Sequence, residues 1–109
     1  MKLFSWNVNG IRAVINKGEF DKFIKKYNPD ILCLQETKAE KYQAEIDLPD
    51  YEEYWNSANK KGYSGTAIFS KTKAQKVSYG LPEKIINQYK VTGDTYGNPN
   101  DEGRVVTAE

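Results

Sequence analysis

The sequence contains no histidine and only one cysteine, Cys33. A single cysteine excludes an internal disulfide, and the lack of histidine excludes the usual cysteine- and histidine-ligated structural metal sites. Cys33 lies in the apolar stretch ILCLQ, where a small buried side chain is expected rather than a reactive thiol. Any metal must therefore be held by oxygen ligands, which favours magnesium, manganese or calcium.

Long apolar runs are also lacking, since none approaches the ~18 residues that a membrane span needs. The first ten residues, MKLFSWNVNG, reach tryptophan, asparagine and glycine before a signal peptide's apolar segment could form. We therefore expect a cytoplasmic protein without membrane association. The net charge of +1 gives no whole-chain indication of nucleic-acid binding. Hydrophobic residues make up 39% of the chain, which is typical of a folded core.

Strand and helix patterns alternate along the first third of the chain. Residues 2–8 alternate apolar and polar side chains and predict a strand. Apolar side chains spaced i, i+3, i+4 and i+7 predict an amphipathic helix over residues 20–27, which ends before Pro29. The apolar run at residues 31–34 predicts a central strand covered on both faces. Together these elements predict a right-handed crossover that joins two parallel strands.

The rest of the chain predicts shorter elements. Residues 41–46 predict a second helix, and strands are predicted at residues 51–55, 66–70 and 75–79. Residues 82–103 are polar and contain glycine and proline, which predicts a long surface excursion. Residues 104–108 predict a last strand, and the chain stops one residue later without a turn or helix to cover it. We therefore expect residues 1–109 to be the N-terminal part of one longer α/β domain.

Two polar clusters lie at the ends of the two predicted central strands. The first is Asn7 and Asn9 with Arg12 just beyond, and the second is Gln35, Glu36 and Lys38. Ligands of open α/β sheets collect beyond the carboxyl ends of the strands, so the clusters converge if the strands are neighbours. Glu36 would then bind a hard cation, Asn7 a metal-bound water or a phosphate oxygen, and Lys38 would neutralise charge. The alternative is that Asn9 and Gly10 form only a turn and that the charged side chains are solvated. Spacing alone does not separate the two interpretations.

Five segments, in order, resemble the successive motifs of the exonuclease III/AP endonuclease family, within the endonuclease/exonuclease/phosphatase superfamily. They are SWNVNGIRA at residues 5–13, PDILCLQETK at 29–38, GYSG at 62–65, KVSYG at 76–80 and EGRVVTAE at 102–109. The resemblance implies a four-layered α/β sandwich of two packed mixed sheets flanked by helices, of which this chain is the N-terminal portion. It also implies a magnesium-dependent DNA repair nuclease, with manganese as a possible substitute. Such an enzyme cleaves double-stranded DNA 5′ of abasic sites and at 3′ ends.

The resemblance also implies roles for particular residues. Glu36 corresponds to the metal ligand and Asn7 to a residue of the same metal and phosphate site, so both are expected to be catalytic. Asn9 stands where some members have aspartate. The residues expected to contact DNA are Asn9, Arg12, Ala13, Lys38, Gly62, Tyr63 and Ser64.

The sequence departs from the family in what it lacks. Members carry later motifs with a catalytic tyrosine, an aspartate near an asparagine, and a final aspartate–histidine pair, whereas the tyrosines here, including Tyr63, Tyr79 and Tyr89, do not match that motif. We therefore expect the fragment alone to be inactive and its uncovered sheet to favour self-association. Two alternatives remain open. One is a phosphodiesterase of the same superfamily acting on an inositol polyphosphate or a sphingolipid, and the other is a non-catalytic fragment that binds DNA or a protein partner.

Overall fold

A computed structural model describes residues 1–88 and 99–109. Its centre is a four-stranded mixed sheet in the order β1-β2-β4-β3. The strands are β1 (Leu3–Asn7), β2 (Ile31–Gln35), β3 (Glu52–Asn56) and β4 (Thr66–Ser70). β1 and β2 are parallel, while β4 runs antiparallel to both β2 and β3. A second sheet pairs β5 (Val77–Tyr79) with β6 (Val106–Ala108) in antiparallel fashion. The predicted α/β class with mixed sheets is confirmed.

Two helices connect β1 to β2. The predicted amphipathic helix is α2 (Glu19–Tyr27), which buries Phe20 and Ile24 and ends at Asn28 in a left-handed conformation. A helix that the sequence analysis did not assign, α1 (Ile11–Asn16), precedes it and buries Ile11 and Val14. The spacing of these two buried residues is itself helical, but a six-residue helix gives too short a pattern to stand out.

The core lies between these helices and one face of the four-stranded sheet. From the strands, Leu32, Leu34, Ala67 and Phe69 are at most 1% exposed. Aromatic rings reinforce the packing: Phe20 meets Phe69 edge to face, with ring centroids 5.8 Å apart. The burial of side chains alternates along β2, with buried residues at every second position and half-buried residues between them. The prediction that β2 is covered on both faces is correct only for the face that packs on the helices.

Three further predictions need correction or adjustment. Residues 41–46 form only a 3-10 turn, Lys41–Gln43, since Tyr42 is 76% exposed and the segment offers no apolar stripe to bury. The predicted excursion at residues 82–103 contains a short helix, α3 (Glu83–Gln88), and a 3-10 turn, Pro99–Glu102. Residues 89–98, which include Tyr89, lie outside the described residues. The strands β3, β5 and β6 are shifted or shortened by one or two residues relative to the prediction.

Candidate functional site

The parallel pairing of β1 with β2 brings the two predicted polar clusters together. Asn7 is in register with Gln35, so Glu36 follows directly beyond the neighbouring strand end. Backbone bonds continue the pairing into the loops: the Gly10 amide donates to the Glu36 carbonyl at 2.8 Å, and the Ile11 amide to the Thr37 carbonyl at 2.9 Å. The convergence expected from the sequence is thus realised at the carboxyl edge of the sheet.

Side-chain hydrogen bonds tie the two loops to each other. Lys38 Nζ donates to Asn9 Oδ1 at 2.6 Å, and the Arg12 guanidinium donates to the Lys38 carbonyl at 3.0 Å. The Asn9 amide in turn donates to Asn7 Oδ1 at 3.0 Å, which fixes the Asn7 side chain at the end of β1. Asn7, Asn9, Arg12 and Glu36 are exposed, and Lys38 is half-buried. Asn9–Gly10 is therefore a turn, and this turn also orients the polar groups of the site.

The backbone of the site is unusual. Five non-glycine residues of the described chain have positive φ, and four of them lie here: Asn9, Glu36, Lys38 and Ser64, with φ between 46° and 53°. A left-handed backbone costs a non-glycine residue on the order of 1 kcal/mol, so the surrounding contacts must enforce it. Such a cluster is found where a loop must present particular side chains.

Thr37 is the anchor that enforces this conformation. Its side chain is fully buried between Glu36 and Lys38, and its amide donates to the Gly65 carbonyl at 3.2 Å. The Lys38 amide also donates to the Ser64 carbonyl, at 2.7 Å. Gly65 has φ +91°, and a Cβ there would lie 2.3 Å from Thr37 Oγ1. Only glycine permits this approach, which clamps the loop of residues 62–65 onto the turn that carries Glu36.

Of the other residues predicted to contact DNA, some join the polar cluster around Glu36 and Lys38 and others lie outside it. Ser64 joins it through the backbone bond to Lys38. Ala13 is exposed on α1, next to Arg12, and its carbonyl accepts a hydrogen bond from the Lys17 amide at the end of the helix. Gly62 and Tyr63 are exposed farther along the loop.

Tyr63 has partners that the sequence analysis did not foresee. Its hydroxyl donates to Glu102 Oε1 at 3.3 Å and accepts from Arg104 Nη2 at 3.0 Å. Arg104 Nε also donates to Glu102 Oε2, and this bond raises the pKa of the Arg104 guanidinium above its ordinary value. Both partners belong to the EGRVV segment already noted in the sequence. Forty-one residues separate Arg104 from Tyr63, so only the fold reveals the contact.

The site offers few ligands for a metal ion. Glu36 offers a carboxylate and Asn7 an amide oxygen, which are ligand types that magnesium accepts, with water completing its coordination. Within residues 1–88 and 99–109, no three aspartate, glutamate, histidine or cysteine side chains are grouped to hold a metal. The residues therefore fit a weak, largely hydrated magnesium ion and do not form a closed cage.

Cys33 stands apart from this site. It is half-buried in the middle of β2, and burial raises the pKa of its thiol, which disfavours the reactive thiolate. The expectation of an unreactive side chain agrees with this environment, although Cys33 is less buried than predicted. Among the described residues, no helix has the length and apolar character needed to cross a membrane.

Comparison with known proteins gives a consistent set of relatives. Residues 4–106 match the family model described as the Endonuclease/Exonuclease/phosphatase family. The chain is 47% identical over 109 residues to an exodeoxyribonuclease of Bacillus subtilis, covering all of this chain and 38% of that protein. It is 40% identical over 114 residues to the DNA repair nuclease APEX1 of Danio rerio, again covering the whole chain but 32% of the relative. The chain thus spans about a third of the length of these curated relatives.

Solved structures show the same similarity in three dimensions. A 3′ phosphatase from Neisseria bound to a product DNA hairpin superposes with a TM-score of 0.73 at 27% identity, over 99% of this chain and 37% of that one. The catalytic domain of APE2 from Xenopus laevis gives a TM-score of 0.69 at 33% identity, over 97% of this chain and 38% of that one.

Proposed function

This chain belongs to the endonuclease/exonuclease/phosphatase family, and we propose that it is the N-terminal part of a magnesium-dependent DNA repair nuclease. The substrate of the whole enzyme would be double-stranded DNA, hydrolysed 5′ of abasic sites and at 3′ ends. The convergence of Asn7 and Glu36 beyond two parallel neighbouring strands carries the proposal. The names of the relatives support it, since they include an exodeoxyribonuclease and a DNA repair nuclease.

The proposed chemistry divides between a metal ion and the side chains around it. Glu36 and Asn7 would hold Mg²⁺, which when bound neutralises charge that grows on the scissile phosphate and the leaving oxygen. Lys38 and Arg12 add positive charge beside that position, and Asn9 keeps the Lys38 ammonium directed at the site through their hydrogen bond. Phosphate contacts of this kind position DNA without reading its sequence.

A second requirement of hydrolysis is a group that aims water at the phosphorus, and the described residues of the site supply no histidine, aspartate or tyrosine for it. We therefore propose that residues 1–109 form part of one domain and do not hydrolyse DNA at a useful rate alone. The fraction of each relative that this chain covers, 38% and 32%, is consistent with that division.

The metal site is tested by titrating this chain with Mn²⁺ and following the paramagnetic broadening of backbone amide resonances. We expect broadening centred on Glu36 and Asn7, with affinity in the millimolar range because one carboxylate and one amide are few ligands (about 10⁻³ M by analogy with weak oxygen-ligand sites). Glu36→Gln should abolish it, and Glu40→Gln, four residues away, should leave it intact. Unchanged binding in Glu36→Gln would remove Glu36 from the site.

The reaction is tested on a duplex with one abasic site, in the presence of magnesium. The isolated chain should not cleave it. In a longer protein encoded by the same reading frame, Asn7→Ala and Glu36→Ala should each lower incision by roughly 10²-fold or more, because bound metal supplies several kcal/mol of charge stabilisation. Near-normal incision in either variant would contradict the role of that residue. Selective hydrolysis of an inositol phosphate or a sphingolipid would favour the other phosphodiesterase reading.

A further inference from the structure

Tyr63, Glu102 and Arg104 form a closed hydrogen-bonded network beside the loop of residues 62–65. Arg104 donates to both other side chains, and Tyr63 donates to Glu102, so each residue contacts both of the others. The guanidinium also lies over the tyrosine ring, with its central carbon 6.0 Å from the ring centroid. A three-membered network of this kind restricts the rotamers of long exposed side chains more strongly than a single surface ion pair does.

The segment that carries Glu102 and Arg104 is itself firmly held. Thr66 Oγ1 donates to the Gly103 carbonyl at 3.1 Å, and Asn56 Nδ2 donates to the Val105 carbonyl at 2.6 Å. A Cβ on Gly103 would lie 2.5 Å from the Ser57 carbonyl carbon, so this segment is packed directly against the backbone after β3. The network therefore rests on the end of the same sheet that carries the site.

Exposure separates the two charged members of the network. The Arg104 side chain is 52% exposed, whereas that of Glu102 is 20% exposed. Two of the five guanidinium N–H groups serve Glu102 and Tyr63, which leaves the others for an outside acceptor. Lys60 adds a second cation, with Nζ 5.4 Å from the centroid of the Tyr63 ring. Two cations thus lie close to one exposed aromatic ring, and the carboxylate of the network is less exposed than the guanidinium.

We propose that Glu102 is a positioning residue that fixes Tyr63 and Arg104 as one unit for contact with the DNA phosphate backbone. The inference rests on the proposed function, because it takes duplex DNA as the ligand of the loop that carries Tyr63. Glu102 itself touches no phosphate. It accepts hydrogen bonds from both partners, holds the guanidinium plane, and leaves the free N–H groups of Arg104 directed outward, where planar donors suit phosphate oxygens.

Removal of the Glu102 carboxylate should change the DNA affinity in the direction opposite to that expected from charge alone. Removing a surface carboxylate near a polyanion normally strengthens binding, since a repulsion is lost. Removing Glu102 should instead weaken DNA binding by roughly three- to tenfold, the loss expected for one ordinary hydrogen bond. Asp101, the exposed neighbouring residue, provides a control with the same change of charge.

The experiment measures fluorescence anisotropy of a labelled duplex with a stable abasic-site analogue, using the 109-residue chain at low salt. Glu102→Ala and Glu102→Gln are compared with Asp101→Asn and with the unaltered chain, after circular dichroism confirms each fold. We expect weaker binding for both Glu102 variants, and equal or tighter binding for Asp101→Asn. Nuclear magnetic resonance should also show loss of the slowly exchanging Arg104 Nε–H signal in Glu102→Ala, without any DNA present.

A double-mutant cycle separates positioning from a general structural effect. If Glu102 acts through the tyrosine hydroxyl, Glu102→Ala should cost less in the Tyr63→Phe background than in the unaltered chain. Tighter binding in both Glu102 variants, parallel to Asp101→Asn, would overturn the inference and leave the proposed function standing. If Glu102→Ala fails to fold, Glu102→Gln decides by the same criterion. A folded, unaltered chain that binds no duplex even at low salt would overturn DNA as the ligand, and the inference with it.

Discussion

The two faces of the four-stranded sheet differ in what covers them. On the face toward α1 and α2, Leu32, Leu34, Ala67 and Phe69 are buried almost completely. On the opposite face, Ile31, Cys33 and Ile68 are only half-buried, and Leu3 is 66% exposed. Alternate residues of the same strands thus have very different surroundings. The first face carries the core that specifies the fold, and the second is an apolar surface that the described residues cover only in part.

The second face also changes character along the strands. Toward the start of β2 it borders a groove of about 510 Å³, whose lining includes Ile31, Cys33, Tyr54 and Ile68. At the other end of the same face, one register row is entirely polar: Asn7, Gln35, Thr66 and Asn56. This polar row leads to the turn that carries Glu36. The candidate site therefore lies at one end of the sheet, away from the apolar groove.

The largest difference between the two faces should appear in stability. Leu32 and Ile31 are adjacent in β2, and Leu32 is fully buried while Ile31 is half-buried. Leu32→Ala should lower the free energy of unfolding by about 2–5 kcal/mol, the range for a buried leucine. Ile31→Ala should lower it by less, because its side chain is only half-buried. Urea denaturation of both variants measures the difference. Equal losses would show that the face of Ile31 is as well covered as that of Leu32.

We propose that the isolated chain self-associates through the partly covered face of the sheet. We expect substitutions on this face to change self-association less than Leu32→Ala changes stability. Leu3 is exposed on β1, at the edge of the described sheet, and lies in register with Ile31 on the partly covered face. Exposed apolar surface beside an unpaired strand edge favours contact between chains. Leu3→Lys should therefore reduce dimers or larger species in sedimentation velocity, and Tyr42→Lys, which removes an exposed aromatic residue outside the sheet, should not. A chain that is monomeric at high concentration would refute the proposal.

Periodicity predicted the elements that bury a repeating apolar pattern. β1, α2, β2 and β4 were all predicted, because their apolar side chains alternate or recur at helical spacing. The short α1 and α3 were missed, since six residues carry less than two full turns of pattern. The helix predicted at residues 41–46 was wrong because Tyr42 points into solvent and no apolar face stabilises more than one turn.

The site was predictable where it depends on neighbouring strand ends. Asn7 and Glu36 converge because β1 and β2 are parallel neighbours, which a strand–helix–strand pattern already indicates. The positive φ of Glu36 and Lys38 was not predictable, since neither residue favours it and the buried Thr37 enforces it through tertiary contact with Gly65. The network of Tyr63 with Arg104 likewise depends on a contact that no local pattern encodes.

The smallest predicted effect concerns Asp30, at the start of β2 and at the opposite end of the strands from the site. The Lys2 amide donates to Asp30 Oδ2 at 2.6 Å, and this hydrogen bond lowers the pKa of the carboxyl below its ordinary value of 3.8. A carboxyl whose folded-state pKa is depressed stabilises the fold at pH values above its unfolded-state pKa. That contribution is lost as the pH falls through the lower, folded-state value.

Asp30→Asn keeps a carbonyl oxygen that can accept the Lys2 amide but removes the titrating charge. We therefore expect the variant to lose part of the stability difference between about pH 6 and about pH 2 that the unaltered chain shows. Urea denaturation at both pH values measures this difference, and Asp47→Asn, an exposed carboxyl outside every strand and helix, is the matched control. The effect should be small, because the carboxyl is accessible to solvent and water screens its charge. If Asp30→Asn and Asp47→Asn alter the pH dependence of the free energy of unfolding equally, the hydrogen bond from Lys2 to Asp30 makes no specific contribution to stability.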